Sequence, residues 1–172
     1  MNKKINTMYF SATGTTKKVV CGIGKGILEN IDRKLTINNI DFTLPKVRGK
    51  EVSFTEQDVV IIGVPVYAGR VPNVLLKYLN SITGNGALAI PVVVYGNRNY
   101  DDALIELKDI LELNGFQVIG GGAFIGEHAF SKILAKNRPD EEDMDIVRDF
   151  ANQIYTKLIT NSNCNFKWNQ AL

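Results

Sequence analysis

The chain has 172 residues, enough for one domain with a full hydrophobic core and short for two. Its 45% hydrophobic and 22% charged content is ordinary for a globular protein, and no apolar run approaches the length that spans a bilayer. The net charge of +2 comes from scattered basic residues, which argues against nucleic acid as the main partner, and two distant cysteines with a single histidine, His128, argue against a zinc site or iron–sulfur cluster built from this chain alone.

The first residues run directly into a strand pattern without the features of an export signal, so the cytoplasm is the expected location. KINTMYF (4–10) reads as a strand and ends in a run of small hydroxyl residues. Behind it Val19, Val20, Ile23 and Ile27 recur at helical spacing, while Gly22, Gly24 and Gly26 lower the propensity and point to close backbone packing. Cys21 falls among these apolar positions and reads as core filler. KLTINNI (34–40) is a weaker strand, and 41–57 holds at most a short helix. DVVIIGVPV (58–66) and ALAIPVVVYG (87–96) are nearly continuous apolar runs, as expected of strands covered on both faces.

Between them VPNVLLKYLNSI (71–82) carries Pro72 in a first-turn position. YDDALIELKDILELNG (100–115) opens with acids and ends at Gly115, so both read as helices. FQVIGGGAFIG (116–126) is the fifth strand and 139–159 the last helix, for which the acids at 140–145 form the start. A polar tail, 161–172, follows a domain spanning 1–160.

This alternation predicts an α/β doubly wound sandwich: a five-stranded parallel sheet of order 2-1-3-4-5 with helices on both faces. Ligands in such sheets collect beyond the carboxyl ends of the strands where the order reverses, which selects the loops after strands one, three and four. In the first, Gly14 permits a tight turn, and Ser11, Thr13, Thr15 and Thr16 surround the orphan N–H groups of a helix start with hydroxyls. That pattern suits a phosphomonoester, with a plain helix cap as the bland alternative. It is not a Walker loop, because position 19 is Val and Gly follows Lys25. Nor is it the dinucleotide fingerprint, because the spaced glycines lie inside the helix.

A strand ending in an aromatic residue and followed by S-x-T-G-T-T resembles the phosphate loop of flavodoxins, which hold flavin mononucleotide (FMN). The resemblance implies that the isoalloxazine ring lies between GVPVYAGRVP (63–72) and YGNRNYDDAL (95–104). It implies contacts from Pro65, Val66, Tyr67, Ala68, Gly69 and Arg70 on one side and from Gly96, Asn97, Arg98, Asn99 and Tyr100 on the other, with Tyr100 stacked on a ring face. GVPVYAGRVPN, YGNRNYDDALIELKDIL and GAFIGEHAFS are together similar to the flavodoxin half of proteins in which a ferredoxin-like half follows; that half is absent here.

The implied function is an FMN-binding carrier passing electrons between redox partners, among them a ferredoxin or reductase on a separate chain. The alternative is an FMN-dependent NAD(P)H or quinone reductase, and a third reading is a phosphate-ligand domain without redox chemistry. The resemblance further implies a peptide turn at Ala68-Gly69-Arg70 that responds to the flavin's redox state. Arg70 and Arg98 are expected to favour the reduced flavin anion, which would make this protein less reducing than an acidic flavodoxin. Lys17 and Lys18 either assist the phosphate or stand in solvent, and His128 is a proton donor, a partner contact or a local cap.

Overall fold

The computed structural model describes residues 4–31, 36–131 and 133–160. The tail at 161–172 and the first residues of the expected second strand lie outside the described residues. In chain order the elements are β1 (Lys4–Tyr9), α1 (Thr15–Ile31), β2 (Ile37–Asp41), a 3₁₀ turn (Pro45–Val47), β3 (Asp58–Pro65), α2 (Asn73–Leu79), β4 (Leu88–Tyr95), α3 (Ala103–Leu113), β5 (Gln117–Val118), β6 (Gly122–Ile125) and α4 (Glu141–Thr160).

The sheet runs β2-β1-β3-β4-β5, every pairing is parallel, and β6 also pairs with β4. The fold is thus the predicted doubly wound α/β sandwich, with its fifth strand in two pieces. Leu88 lies opposite Gln117 but Val92 opposite Gly122, so one extra residue is accommodated across 119–121. Three consecutive glycines, 120–122, stand at that break.

Alternation along β3 explains the two-sided core. Val59 and Ile61 pack with Val19, Val20, Ile23 and Ile27 of α1 and Val147 and Ile154 of α4. Val60, Ile62 and Val64 pack on the other face with Leu75 and Leu79 of α2 and Leu107 and Leu111 of α3. Each of these side chains is fully or almost fully buried, which contributes about 1.5–3 kcal/mol apiece. The helical glycines have the packing role their spacing suggested: a Cβ on Gly26 would stand 2.7 Å from the Ala151 Cβ, and one on Gly22 2.6 Å from Met144 Cε. Helices α1 and α4 therefore lie close together. At the foot of the sheet Asp58 is pushed up by burial, but the Thr55 N–H and hydroxyl and the Asn6 amide outweigh that push and hold its carboxyl below its ordinary range.

Two helices start later than their patterns suggest. Pro72 precedes α2 rather than entering it, its fixed φ preparing the turn. Helix α3 begins at Ala103 because Asp101, at φ +40°, cannot continue a right-handed helix. Among the described residues no helix is long and apolar enough to cross a membrane.

Candidate functional site

The carboxyl ends of β1, β3 and β4 deliver three loops to one edge of the sheet, and bonds between them fix their spacing. Phe10 N–H donates to the Gly63 carbonyl at 3.1 Å, and Val66 N–H to the Val94 carbonyl at 2.9 Å.

In the first loop Gly14 has φ +88°, a conformation that suits glycine, with open space around it. Lys18 N–H returns to the Gly14 carbonyl, while the Ser11 hydroxyl accepts from Lys17 N–H at 3.0 Å and so caps α1. Ser11 N–H donates to the Thr43 hydroxyl at 2.9 Å. Among the described residues, the backbone N–H groups of Ala12, Thr13, Gly14, Thr15 and Thr16 then have no protein acceptor. Five consecutive donors at a helix start form an anion nest. The hydroxyls of Thr13 and Thr15 lie 3.1 Å apart beside it. Thr16 is buried with its methyl against Gly63, so its side chain packs α1 onto β3. Lys17 is exposed, with its ammonium 5.9 Å from the Tyr9 ring centroid, and Lys18 Nζ donates to the Pro139 carbonyl at 2.6 Å.

After Pro65 and Val66, the second loop closes a two-residue turn. Tyr67 and Arg70 exchange backbone bonds of 3.0 and 3.1 Å, and Ala68 and Gly69 both have positive φ, +50° and +76°. This is a type I′ turn, and Gly69 supplies the residue that enters it without strain. Tyr67 is 46% exposed, an uncovered aromatic surface at the mouth. The Arg70 guanidinium turns to α3, where Nε and one terminal nitrogen meet the Glu106 carboxylate at 3.0 and 2.9 Å. Val71 N–H donates to the same carboxylate at 2.8 Å. The Arg70 hydrogen bonds hold the Glu106 carboxyl below its ordinary range against the opposing effect of burial, and Glu106 raises Arg70 in return. The Arg70 charge is thus matched locally, whereas Arg98 is exposed.

In the third loop Asn97 has φ +55°, and Asn99 Oδ1 accepts from Asp101 N–H at 3.1 Å, an Asx turn. The Tyr100 carbonyl receives Ala103 N–H, and its half-buried ring rests on Tyr95 at 5.4 Å, tilted by 59°. Tyr100 also lines a groove of about 590 Å³ along the open edge of β6. The second and third loops touch where Asp101 covers Gly69: a Cβ there would stand 2.3 Å from Asp101 Oδ2.

The structure brings the residues singled out in the sequence to one edge, and adds others. Thr43 and Glu106 support the loops from elements far away in sequence, and Asp101 of the third loop covers Gly69 of the second; no local pattern marks these contacts. His128 stands in a motif the sequence made visible, GEHAFS, and lies against Gly96.

No protein-family model matches this chain, and no curated protein matches it in sequence. Solved structures do. A flavodoxin from the domain Archaea superposes with TM-score 0.60 at 16% identity, covering 91% of this chain and 99% of that one. Fusobacterium nucleatum flavodoxin bound to flavin mononucleotide gives 0.58 at 20% identity, over 90% and 98%. An NADH:FMN oxidoreductase in its apo form gives 0.64 at 17% identity, over 90% and 89%. At such identities the likeness is one of fold: the chain has a flavodoxin-like α/β fold.

Proposed function

We propose that this protein binds FMN at the carboxyl edge of its sheet and carries electrons between redox partners, in the manner of the flavodoxin half of flavodoxin/ferredoxin proteins, with a ferredoxin or a reductase as partner. The observation that carries this reading is the row of five unpaired backbone donors from Ala12 to Thr16, set at the start of α1 with the Thr13 and Thr15 hydroxyls beside it. A dianionic phosphate satisfies such donors better than water does, because the helix dipole and the N–H groups act together.

When bound, FMN supplies the redox chemistry, and the protein supplies position and electrostatics. Residues 12–16 hold the phosphate. Tyr67 and Tyr100 offer aromatic surface to a flat ring, and the backbone of 65–70 and 96–99 offers hydrogen bonds to its polar rim. With Arg70 matched by Glu106, Arg98 is, among the described residues, the unpaired cation of the two and the one whose field acts on charge at the ring.

The test is selective binding. Titrating the apo-protein with FMN and with riboflavin should show FMN held at least about a hundredfold more tightly, since several charge-assisted bonds belong to the phosphate alone. Thr15→Ala should weaken FMN about tenfold and leave riboflavin unchanged. Equal affinity for the two flavins would reject the assignment of the first loop. Oxidation of NAD(P)H by the holoprotein without a partner reductase would instead favour the FMN-dependent reductase.

A further inference from the structure

A fourth segment closes on the cleft that the three loops define. After β6 the chain leaves the sheet at Gly126, whose N–H donates to the Tyr95 carbonyl at 2.9 Å. A Cβ on Gly126 would stand 3.3 Å from the Thr15 Cβ, so this strand end lies against the phosphate loop. Two residues later His128 lies on Gly96, the first residue of the third loop: a Cβ there would stand 2.7 Å from His128 Cδ2 and 3.0 Å from its Cα. At the far end of the excursion the Pro139 carbonyl receives Lys18 Nζ of α1. Gly126 and His128 thus lie against the phosphate loop and the third loop, and the chain's single histidine stands where they meet.

The hydrogen bonds of the segment set the imidazole's tautomer. Glu127 N–H donates to the Arg138 carbonyl and His128 N–H to the Leu134 carbonyl, which closes the neck. Within it Phe130 N–H donates to His128 Nδ1 at 3.1 Å. A neutral ring that accepts at Nδ1 carries its proton on Nε2. Nε2 is bonded to Cδ2, the ring atom pressed toward Gly96. The acceptor edge of His128 therefore serves its own loop, and the donor edge lies on the side of the third loop.

We infer that His128 is a fourth binding element of the cleft, donating from Nε2 to bound FMN and, once protonated, adding a positive charge that tightens its hold. This inference rests on the FMN reading above. Once protonated, the imidazole beside a bound dianion attracts it. By linkage, affinity rises as the pH falls through the imidazole range. Among the described residues, the charged groups on the surrounding elements include Lys17 and Lys18 of α1, Arg98, Asp101 and Asp102 of the third loop, Glu127 and Lys136 of the segment itself, Asp140, and the mutually paired Arg138 and Asp143.

The experiment compares FMN dissociation constants of the wild-type protein and His128→Asn between pH 8 and pH 5.5. An asparagine oxygen can accept from Phe130 N–H in the same short turn, so the loop is retained while the donor edge and the titration are removed. Taking the ratio of the two constants at each pH cancels the titration of the phosphate itself. The expected ratio is about threefold in favour of wild type at pH 8, widening to about thirtyfold at pH 5.5. A ratio near one at every pH with tight FMN binding overturns this inference and leaves the FMN reading standing; no FMN binding by either protein overturns both. Nuclear magnetic resonance of the wild type gives a readout independent of the variant, because one histidine gives one set of imidazole signals. Its titration midpoint should move up when FMN saturates the site, and an unmoved midpoint overturns the inference.

Discussion

Replacing Glu106 by alanine removes a carboxylate that serves two neighbours at once. It receives both nitrogens of the Arg70 fork and the N–H of Val71, fastening the end of the second loop to α3. The Arg70 side chain is 56% exposed, so the ion pair itself contributes little. Val71 is different: the residue is 1% exposed, and without Glu106 its N–H is buried with no acceptor. Such an orphan costs about 1–3 kcal/mol, so Glu106→Ala should lower the unfolding free energy by about 2 kcal/mol. Glu106→Gln keeps an acceptor oxygen and should lose less than half of that.

Urea denaturation followed by circular dichroism reads both differences, with the slope against urea unchanged in either variant. The pH dependence has a fixed sign. Because the Arg70 bonds depress the folded carboxyl, its contribution is complete above the ordinary carboxylate value and is lost as the pH falls through the depressed one. The gap between wild type and Glu106→Ala should therefore narrow on the acid limb. A Glu106→Ala protein within about 0.5 kcal/mol of wild type at pH 7 would refute the claim that the buried N–H depends on this side chain.

Two glycine substitutions separate conformational strain from crowding. Gly14→Ala meets open space but must hold φ +88°, so the loss should be about 1–2 kcal/mol of stability, with weaker FMN binding as the nest distorts. Calorimetric unfolding and an FMN titration check the two parts. Gly69→Ala carries the same kind of strain at φ +76° and in addition drives its methyl into Asp101. It should be the worse of the two in wild type, and in an Asp101→Gly background the excess should disappear, which a double-mutant cycle measures directly.

What the sequence made legible follows from how local each cause is. Strands β3 and β4 could be read because burial on both faces leaves continuous apolar runs, and the phosphate loop because a helix start needs hydroxyls and a turn needs glycine within six neighbouring residues. The fifth strand was read as one run, 116–126, and its division at the three glycines is set by how its two pieces pair with β4. The late start of α3 comes from Asp101, drawn over Gly69 by a contact across 32 residues that no window of sequence contains. Arg70 shows the same limit more sharply. Its position suggested a charge facing the ring, and its partner is Glu106 on α3, 36 residues further along, which no local pattern pairs with it.

The position of the phosphate nest is set from beneath as well as from its own residues. Helix α1 can bring its first turn over the end of β3 only because Gly63 has no side chain: a Cβ there would stand 2.2 Å from Val20 Cγ2 and 3.2 Å from Thr16 Cγ2. Both are rigid β-branched side chains on the first turns of α1, so the helix, not a rotamer, must give way. Gly63→Ala should therefore displace the donors of residues 12–16 relative to the second and third loops and weaken FMN about tenfold or more, although no atom of Gly63 side chain exists to touch a ligand. In the Val20→Ala background the crowding falls mainly on Thr16, and part of the affinity should return. If Gly63→Ala destabilised the protein while FMN and riboflavin bound as in wild type, the nest would be independent of the packing of α1 on β3, and the cleft would be a property of its loops alone.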